Sequence, residues 1–209
     1  MASLKTHHII VLVVAALLAA VLGFWTGSVE KAEPELLSGT DMRSAPRALP
    51  DFILTDHNGE TFDNARLKGH WTMMFFGYTH CPDICPTTLA MLKQTMATYI
   101  EKGGNPADWQ VVFVSVDPER DTPQQLAGYV TYFNKDFLGA TGDPEQIALL
   151  TRSLGILYVR VENPDNPENY LVDHSASIIV VDPEGREAAV LNPPHQPVDI
   201  AHDMLRLAR

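Results

Sequence analysis

An α/β domain built on a mixed central sheet, preceded by one N-terminal transmembrane helix, is the fold class this sequence predicts. Three observations carry that expectation: an uncharged apolar run from Ile9 to Trp25, strand-like segments alternating with helix-like ones from Asp51 onward, and short loops between them. Alternation with short strand-to-helix loops calls for parallel strands, and a hairpin strand near the end makes the sheet mixed.

Residues 1–8 read as a short cytoplasmic N-terminus and residues 9–29 as the membrane anchor. The run IIVLVVAALLAAVLGFW carries no charge, and the next charged residue after it is Glu30. At about 1.5 Å of rise per residue, a helix over this segment covers a hydrocarbon core of roughly 30 Å, and Trp25 suits the membrane interface. A cleaved signal peptide also joins a basic start to an apolar run. This run is longer than a usual signal core, and no convincing small-x-small site follows Gly23-Phe24-Trp25-Thr26-Gly27, so a retained anchor is expected. Lys5 precedes the run, while Glu30, Glu33 and Glu35 follow it with Lys31. That bias puts the N-terminus in the cytoplasm and the domain on the outer, periplasmic side of the inner membrane. Residues 30–48 include Pro34 and Pro46, lack a sustained hydrophobic period and read as a tether. Residues 49–209 remain as one domain with room for a core. The composition, 45 % hydrophobic and 20 % charged, is that of a globular chain, and the net charge of −11 argues against nucleic acid as a partner.

Within the domain, Phe52-Ile53-Leu54-Thr55 and Thr61-Phe62 flank Asn58-Gly59, which predicts a hairpin. The continuous apolar stretch from His70 to Tyr78 has the pattern of a central strand buried on both faces. Pro86 lacks an N–H and is tolerated in a first helical turn. It sets a helix over residues 86–100 with Leu89, Leu92 and Met96 on the apolar stripe. Trp109 to Val116 is a second buried strand, and Thr122-Pro123-Gln124-Gln125 opens a second helix with a capping box. Asp143-Pro144-Glu145-Gln146 opens a third, ending near Leu154. Strands over 158–161 and 175–181 follow, then a turn at Asp182-Pro183-Glu184-Gly185, a strand over 186–191 and a closing helix over 199–207.

The chain has two cysteines, and they sit four apart in Tyr78-Thr79-His80-Cys81-Pro82-Asp83-Ile84-Cys85-Pro86, between the first buried strand and its helix. Residues i and i+4 on a helix have Cβ atoms roughly 5–6 Å apart. A disulfide is possible after local adjustment, and so is a shared metal ion. Two small buried hydrophobes are the bland alternative. An oxidising compartment favours the disulfide unless a reductant or a metal prevents it. A helix N-terminus acidifies thiols, and two thiolates prefer soft ions, Cu(I) first and zinc next. The C-x-x-x-C spacing, one residue longer than the redox C-x-x-C, widens the bite for a metal.

A pair of thiolates seldom completes a site, and the chain offers eight histidines for a third ligand. His7 and His8 lie beside the apolar run, His57 falls in a turn, and His70, His195 and His202 read as surface residues. His80 adjoins Cys81 as a spare ligand. His174, in Val172-Asp173-His174-Ser175 just before a strand, is expected on a loop from which it can face the dithiol. Met73, Met74, Met91 and Met96 read as core packing rather than a copper relay.

Three blocks, Tyr78-Thr79-His80-Cys81-Pro82-Asp83-Ile84-Cys85-Pro86-Thr87, Val114-Ser115-Val116-Asp117-Pro118-Glu119-Arg120-Asp121-Thr122-Pro123, and Val172-Asp173-His174-Ser175 followed by Asp182-Pro183-Glu184-Gly185, resemble the signature blocks of the Sco/SenC family. The resemblance runs from about Leu49 to the C-terminus. It implies a thioredoxin-like fold, membrane anchoring, copper as Cu(I) with Cu(II) as a further state, and a metallochaperone serving the CuA centre of cytochrome c oxidase. Carried over residue by residue, it makes Cys81, Cys85 and His174 the copper ligands, with a Cys81–Cys85 disulfide as the empty, oxidised state. The implied partners are the oxidase subunit carrying CuA, other copper chaperones and thiol reductants. Thioredoxins place a cis-proline before the strand that begins here near Ser175, and His174 takes that neighbourhood instead. The alternative is an enzyme, a thiol–disulfide oxidoreductase that reduces the acceptor's cysteines, and thiol peroxidase is a third possibility. Asp117 and Asp121 are expected to shape their loop and cap the second helix.

Overall fold

The computed structural model describes residues 2–27, 36–166 and 168–208. Two units separate, Met1–Pro34 and Glu35–Arg209. The first contains helix α1, Ala2–Gly27. Its side chains at residues 7–20 are exposed. No helix among the described residues is long and apolar enough to cross a membrane. The end of the expected anchor, residues 28–29, and residues 30–35 of the expected tether lie outside the described residues.

The remainder of the expected tether is a correction. Strands β1 (Gly39–Asp41) and β2 (Arg47–Ala48) both pair antiparallel with the C-terminal strand of the domain. The buried Asp203 carboxylate accepts the Leu37 N–H at 3.0 Å and the Ser38 N–H at 2.8 Å. Arg47 donates to the buried Glu187 carboxylate at 2.6 Å. Segments this short carry no periodicity of their own, and only a distant edge strand makes them strands.

The hairpin forms as expected from β3 (Ile53–Asp56) and β4 (Thr61–Asp63), with Gly59 at φ +84°, a value that disfavours any side chain. After a 3-10 helix at Asn64–Leu67 comes β5, Trp71–Gly77, buried from Thr72 onward. Helix α2 spans Ile84–Glu101 and begins two residues before Pro86, so that Cys85 lies in its first turn. A 3-10 turn at Pro106–Asp108 leads into β6, Trp109–Ser115. Helix α3, Pro123–Phe133, has the expected capping box between Thr122 and Gln125. The next strand, β7 (Leu138–Thr141), was not expected: it is four residues long and contains Gly139, which weakens any strand signal. Helix α4 (Pro144–Ser153) and strands β8 (Tyr158–Val161), β9 (Leu171–His174), β10 (Ile178–Val181) and β11 (Arg186–Leu191) precede α5, Pro197–Leu207.

Nine strands make one mixed sheet in the order β1-β11-β10-β5-β6-β7-β3-β4, with β2 also on β11. Strands β5, β6 and β7 run parallel, and the other pairings are antiparallel. Central placement of β5 between β10 and β6 buries both its faces, which is why Met73, Met74, Phe75 and Phe76 follow one another without alternation. Those two methionines and Met96 are core residues, as expected. Strands β8 and β9 form a separate two-stranded ribbon. The cysteine segment leaves the C-terminal end of β5, where open α/β sheets carry their sites.

Candidate metal centre

The site begins with the backbone at Gly77. A Cβ there would overlap the Cys85 sulfur and come within 2.8 Å of the Phe113 ring, so only glycine leaves room for the sulfur to lie over the strand end. The chain then turns, with the Cys81 N–H donating to the Tyr78 carbonyl at 3.3 Å, and enters α2. Asp83 occupies the N-cap position without making a side-chain cap. The Asp83 and Cys85 N–H groups at this helix start favour the Cys81 thiolate.

Cys81 is partly exposed, Cys85 is fully buried, and both thiols are free. His174 ends β9 rather than standing on a loop, half-buried, with Nε2 3.2 Å from the Cys85 sulfur. Its Nδ1 lies 3.0 Å from the Ser175 carbonyl. A carbonyl only accepts, so the ring proton is on Nδ1 and the Nε2 lone pair faces the sulfurs. The rings of Phe75 and Tyr78 stand edge-on at 6.0 Å and limit the imidazole's rotation. The donor atoms of Cys81, Cys85 and His174 all lie within 4.8 Å of one another, and they are the group of this kind among the described residues.

The electrostatics separate the two thiols. A hydrogen bond from Cys85 is the main influence lowering the Cys81 thiol to about 4, aided by the Asp83 and Cys85 N–H groups against the cost of burial. The same hydrogen bond and the desolvation of a buried sulfur push the Cys85 thiol upward. The pair therefore holds one proton, with Cys81 as the thiolate. At mildly acidic pH an alkylating reagent is expected to label Cys81 and spare Cys85, read by peptide mass spectrometry; equal labelling would contradict this ordering.

Within the second unit, the other histidines stay apart from these donors. His80 is exposed, 3.1 Å from the Thr79 hydroxyl, and is absent from the donor group. His57 accepts the Gly139 N–H at 2.9 Å and ties the hairpin to β7. His70 and His202 are exposed as expected, whereas His195 is half-buried and donates to the Ala176 carbonyl at 2.9 Å. His7 and His8 belong to the first unit.

Residues outside the donor group complete the centre. Buried Asp121 accepts the Thr79 N–H at 2.9 Å, the Thr79 hydroxyl at 2.5 Å and the Ser115 hydroxyl at 2.6 Å, tying the cysteine loop to the end of β6. Asp117 accepts from Arg120 and from the Tyr170 hydroxyl, both at 2.6 Å. Both aspartates thus shape their loop, but neither caps α3, which is the work of Thr122. Of this set, Gly77, Thr79, Ser115 and Tyr170 were not foreseen as site residues. Only their membership in or near the three sequence blocks could have marked them.

Comparison with known proteins identifies relatives of this chain. The SCO1/SenC family pattern matches residues 40–209. The bovine protein described as "Protein SCO2 homolog, mitochondrial" is 40 % identical over 177 residues, 83 % of this chain and 66 % of its own length. The chain spans about two thirds of the length of the first curated relatives it matches. The crystal structure of Arabidopsis thaliana ScoI with copper bound is 36 % identical, with a TM-score of 0.70 over 76 % of this chain and 96 % of that one. Bradyrhizobium japonicum ScoI with copper bound is also 36 % identical, with a TM-score of 0.68 over 77 % of this chain and 99 % of that one. The mixed α/β fold is thus that of the thioredoxin-like Sco structures, and the chain belongs to the SCO1/SenC family.

Proposed function

We propose that this protein is a copper metallochaperone in which Cys81, Cys85 and His174 bind Cu(I) for handover during assembly of the CuA centre of cytochrome c oxidase. The observation that carries the reading is the convergence of two sulfurs and one imidazole nitrogen within 4.8 Å, with the lone pair of the ring aimed inward. Thiolate sulfur selects soft Cu(I), and three ligands suit a low-coordinate ion that must leave again. Partial exposure of Cys81 and His174 gives an acceptor access to the ion. Copper is cargo here, and the oxidised, empty form would carry the Cys81–Cys85 disulfide. Copper-bound relatives of the same fold support the choice of metal.

The partners in this reading are the oxidase subunit that carries CuA, copper donors and thiol reductants. Residues 9–29 would anchor the chain, with the domain on the periplasmic side of the inner membrane; the exposed apolar side chains from Ile9 to Leu18 support an apolar surrounding. Retention in the membrane pellet after alkaline extraction tests the anchor, and release into the supernatant would remove it.

Metal analysis of the reduced chain, purified without oxygen, should find stoichiometric copper that Cys81→Ser abolishes. A second reading, thiol–disulfide reductase acting on the acceptor, is favoured by the partly exposed, acidified Cys81 thiol. His174→Ala separates the two. As a chaperone the protein should lose at least about tenfold in copper affinity, about 1.4 kcal/mol, while dithiol exchange continues. Unchanged affinity with failing exchange would leave the reductase.

A further inference from the structure

His174 and the two cysteines are carried by different pieces of structure. The cysteines sit at the end of the main sheet, and the histidine ends a ribbon that belongs to a separate sheet. A ligand on a separate ribbon stays within reach of the sulfurs only if something sets the ribbon's position. The segment Asp117–Asp121, at the mouth of β6, grips both pieces.

On the ribbon side, the Tyr170 hydroxyl donates to Asp117 at 2.6 Å in a buried contact, and Arg120 donates through Nη1 to the Tyr170 carbonyl at 3.0 Å. The Arg120 and Arg160 guanidinium groups lie over the Tyr170 ring at 3.5 and 3.6 Å, and Arg160 is paired with Glu119 at 2.9 Å. Tyr170 is four residues before His174 and leads directly into β9. On the cysteine side, Asp121 holds Thr79, two residues before Cys81. The Ser115 hydroxyl joins the halves, accepting the Asp117 N–H at 3.0 Å and donating to Asp121 at 2.6 Å. A further contact is that of the Tyr78 ring with the His174 ring, edge-on with centroids at 6.0 Å.

We propose that Asp117, Arg120 and Tyr170 are positioning residues that set His174 at bonding distance from the cysteine sulfurs, with Thr79, Ser115 and Asp121 as the matching clamp on the cysteine loop. The inference deepens the copper reading and rests on it for its affinity arm. A ligand positioned by hydrogen bonds behind it loses about 10- to 100-fold in metal affinity when they are removed. The Tyr78 contact remains in a Tyr170 variant, so the lower end of that range applies.

The test compares Tyr170→Phe, which removes one oxygen from the ribbon side, with Thr79→Val, which removes one from the cysteine side. In the full-length, reduced, metal-free chain, the His174 ring nitrogen resonances should shift in Tyr170→Phe and stay in place in Thr79→Val. Cu(I) affinity, measured by competition with a chromophoric chelator, should fall about tenfold in Tyr170→Phe. It should fall no further when Tyr170→Phe is added to His174→Ala, because the ribbon then has no ligand to place. Unmoved His174 resonances, or additive losses in the double variant, would overturn the proposal. Should Tyr170→Phe fail to fold, Arg120→Lys carries the same comparison through the lost carbonyl contact. A wild-type chain that takes up no copper would sink the copper reading, and the metal-free resonances would still decide the positioning role.

Discussion

Gly77→Ala is expected to destabilise the domain by about 2–3 kcal/mol, in the range of overpacking a well-filled core, and to impair copper binding at the same time. The added methyl would overlap the Cys85 sulfur and press on the Phe113 ring, both of them fully buried. Neither can yield easily: Phe113 lies against Phe75 and Tyr129 with centroids at 6.0 and 5.5 Å, and Cys85 is fixed by the first turn of α2. The strain is relieved by moving the helix start, which carries the sulfur away from His174. Urea unfolding and Cu(I) competition measure the two effects. A variant of wild-type stability with full copper affinity would show that the strand end yields more than its packing suggests.

Asp121→Ala should cost more, about 3 kcal/mol or above. It strips the acceptor from the Thr79 N–H, the Thr79 hydroxyl and the Ser115 hydroxyl, and an orphaned buried donor costs about 1–3 kcal/mol. The hydroxyls can turn toward other acceptors; the Thr79 N–H cannot, so the cysteine loop should loosen where it leaves β5. Faster hydrogen exchange at residues 78–83, beyond what global destabilisation explains, is the expected signature. Asp121→Asn keeps an acceptor oxygen and should retain part of the stability. Equal losses in the two variants would mean that the carboxylate's charge matters more than the hydrogen bonds drawn here.

The elements legible in the sequence were those whose signal is local. The unbroken run from Met73 to Tyr78 identified β5, a proline-and-cap opening identified α3 and α4, and Asn58-Gly59 identified the hairpin. Strands β1, β2 and β7 escaped because each is two to four residues long and is stabilised by a partner far away in the chain, and β9 because its four residues, paired with the preceding strand, are too few to set up an alternation. The helix that holds Cys85 was placed two residues late for a related reason: Pro86 shows that a first turn is near but not which residue of that turn it occupies.

By itself, the sequence determined the chemistry available: two thiols at helical spacing, one histidine in a block that resembles a known ligand block, and the apolar and capping patterns that place them at a strand end. Residue type and local periodicity carry that much because they depend on neighbours within a few positions. The tertiary structure alone decided that His174 ends a strand of a separate ribbon with Nε2 3.2 Å from the Cys85 sulfur, and that Asp117 and Asp121 grip the two halves of the centre. Those arrangements join residues 42 to 89 positions apart. Contacts at that separation are set by how the sheet, the ribbon and the helix pack together, and no local pattern encodes them.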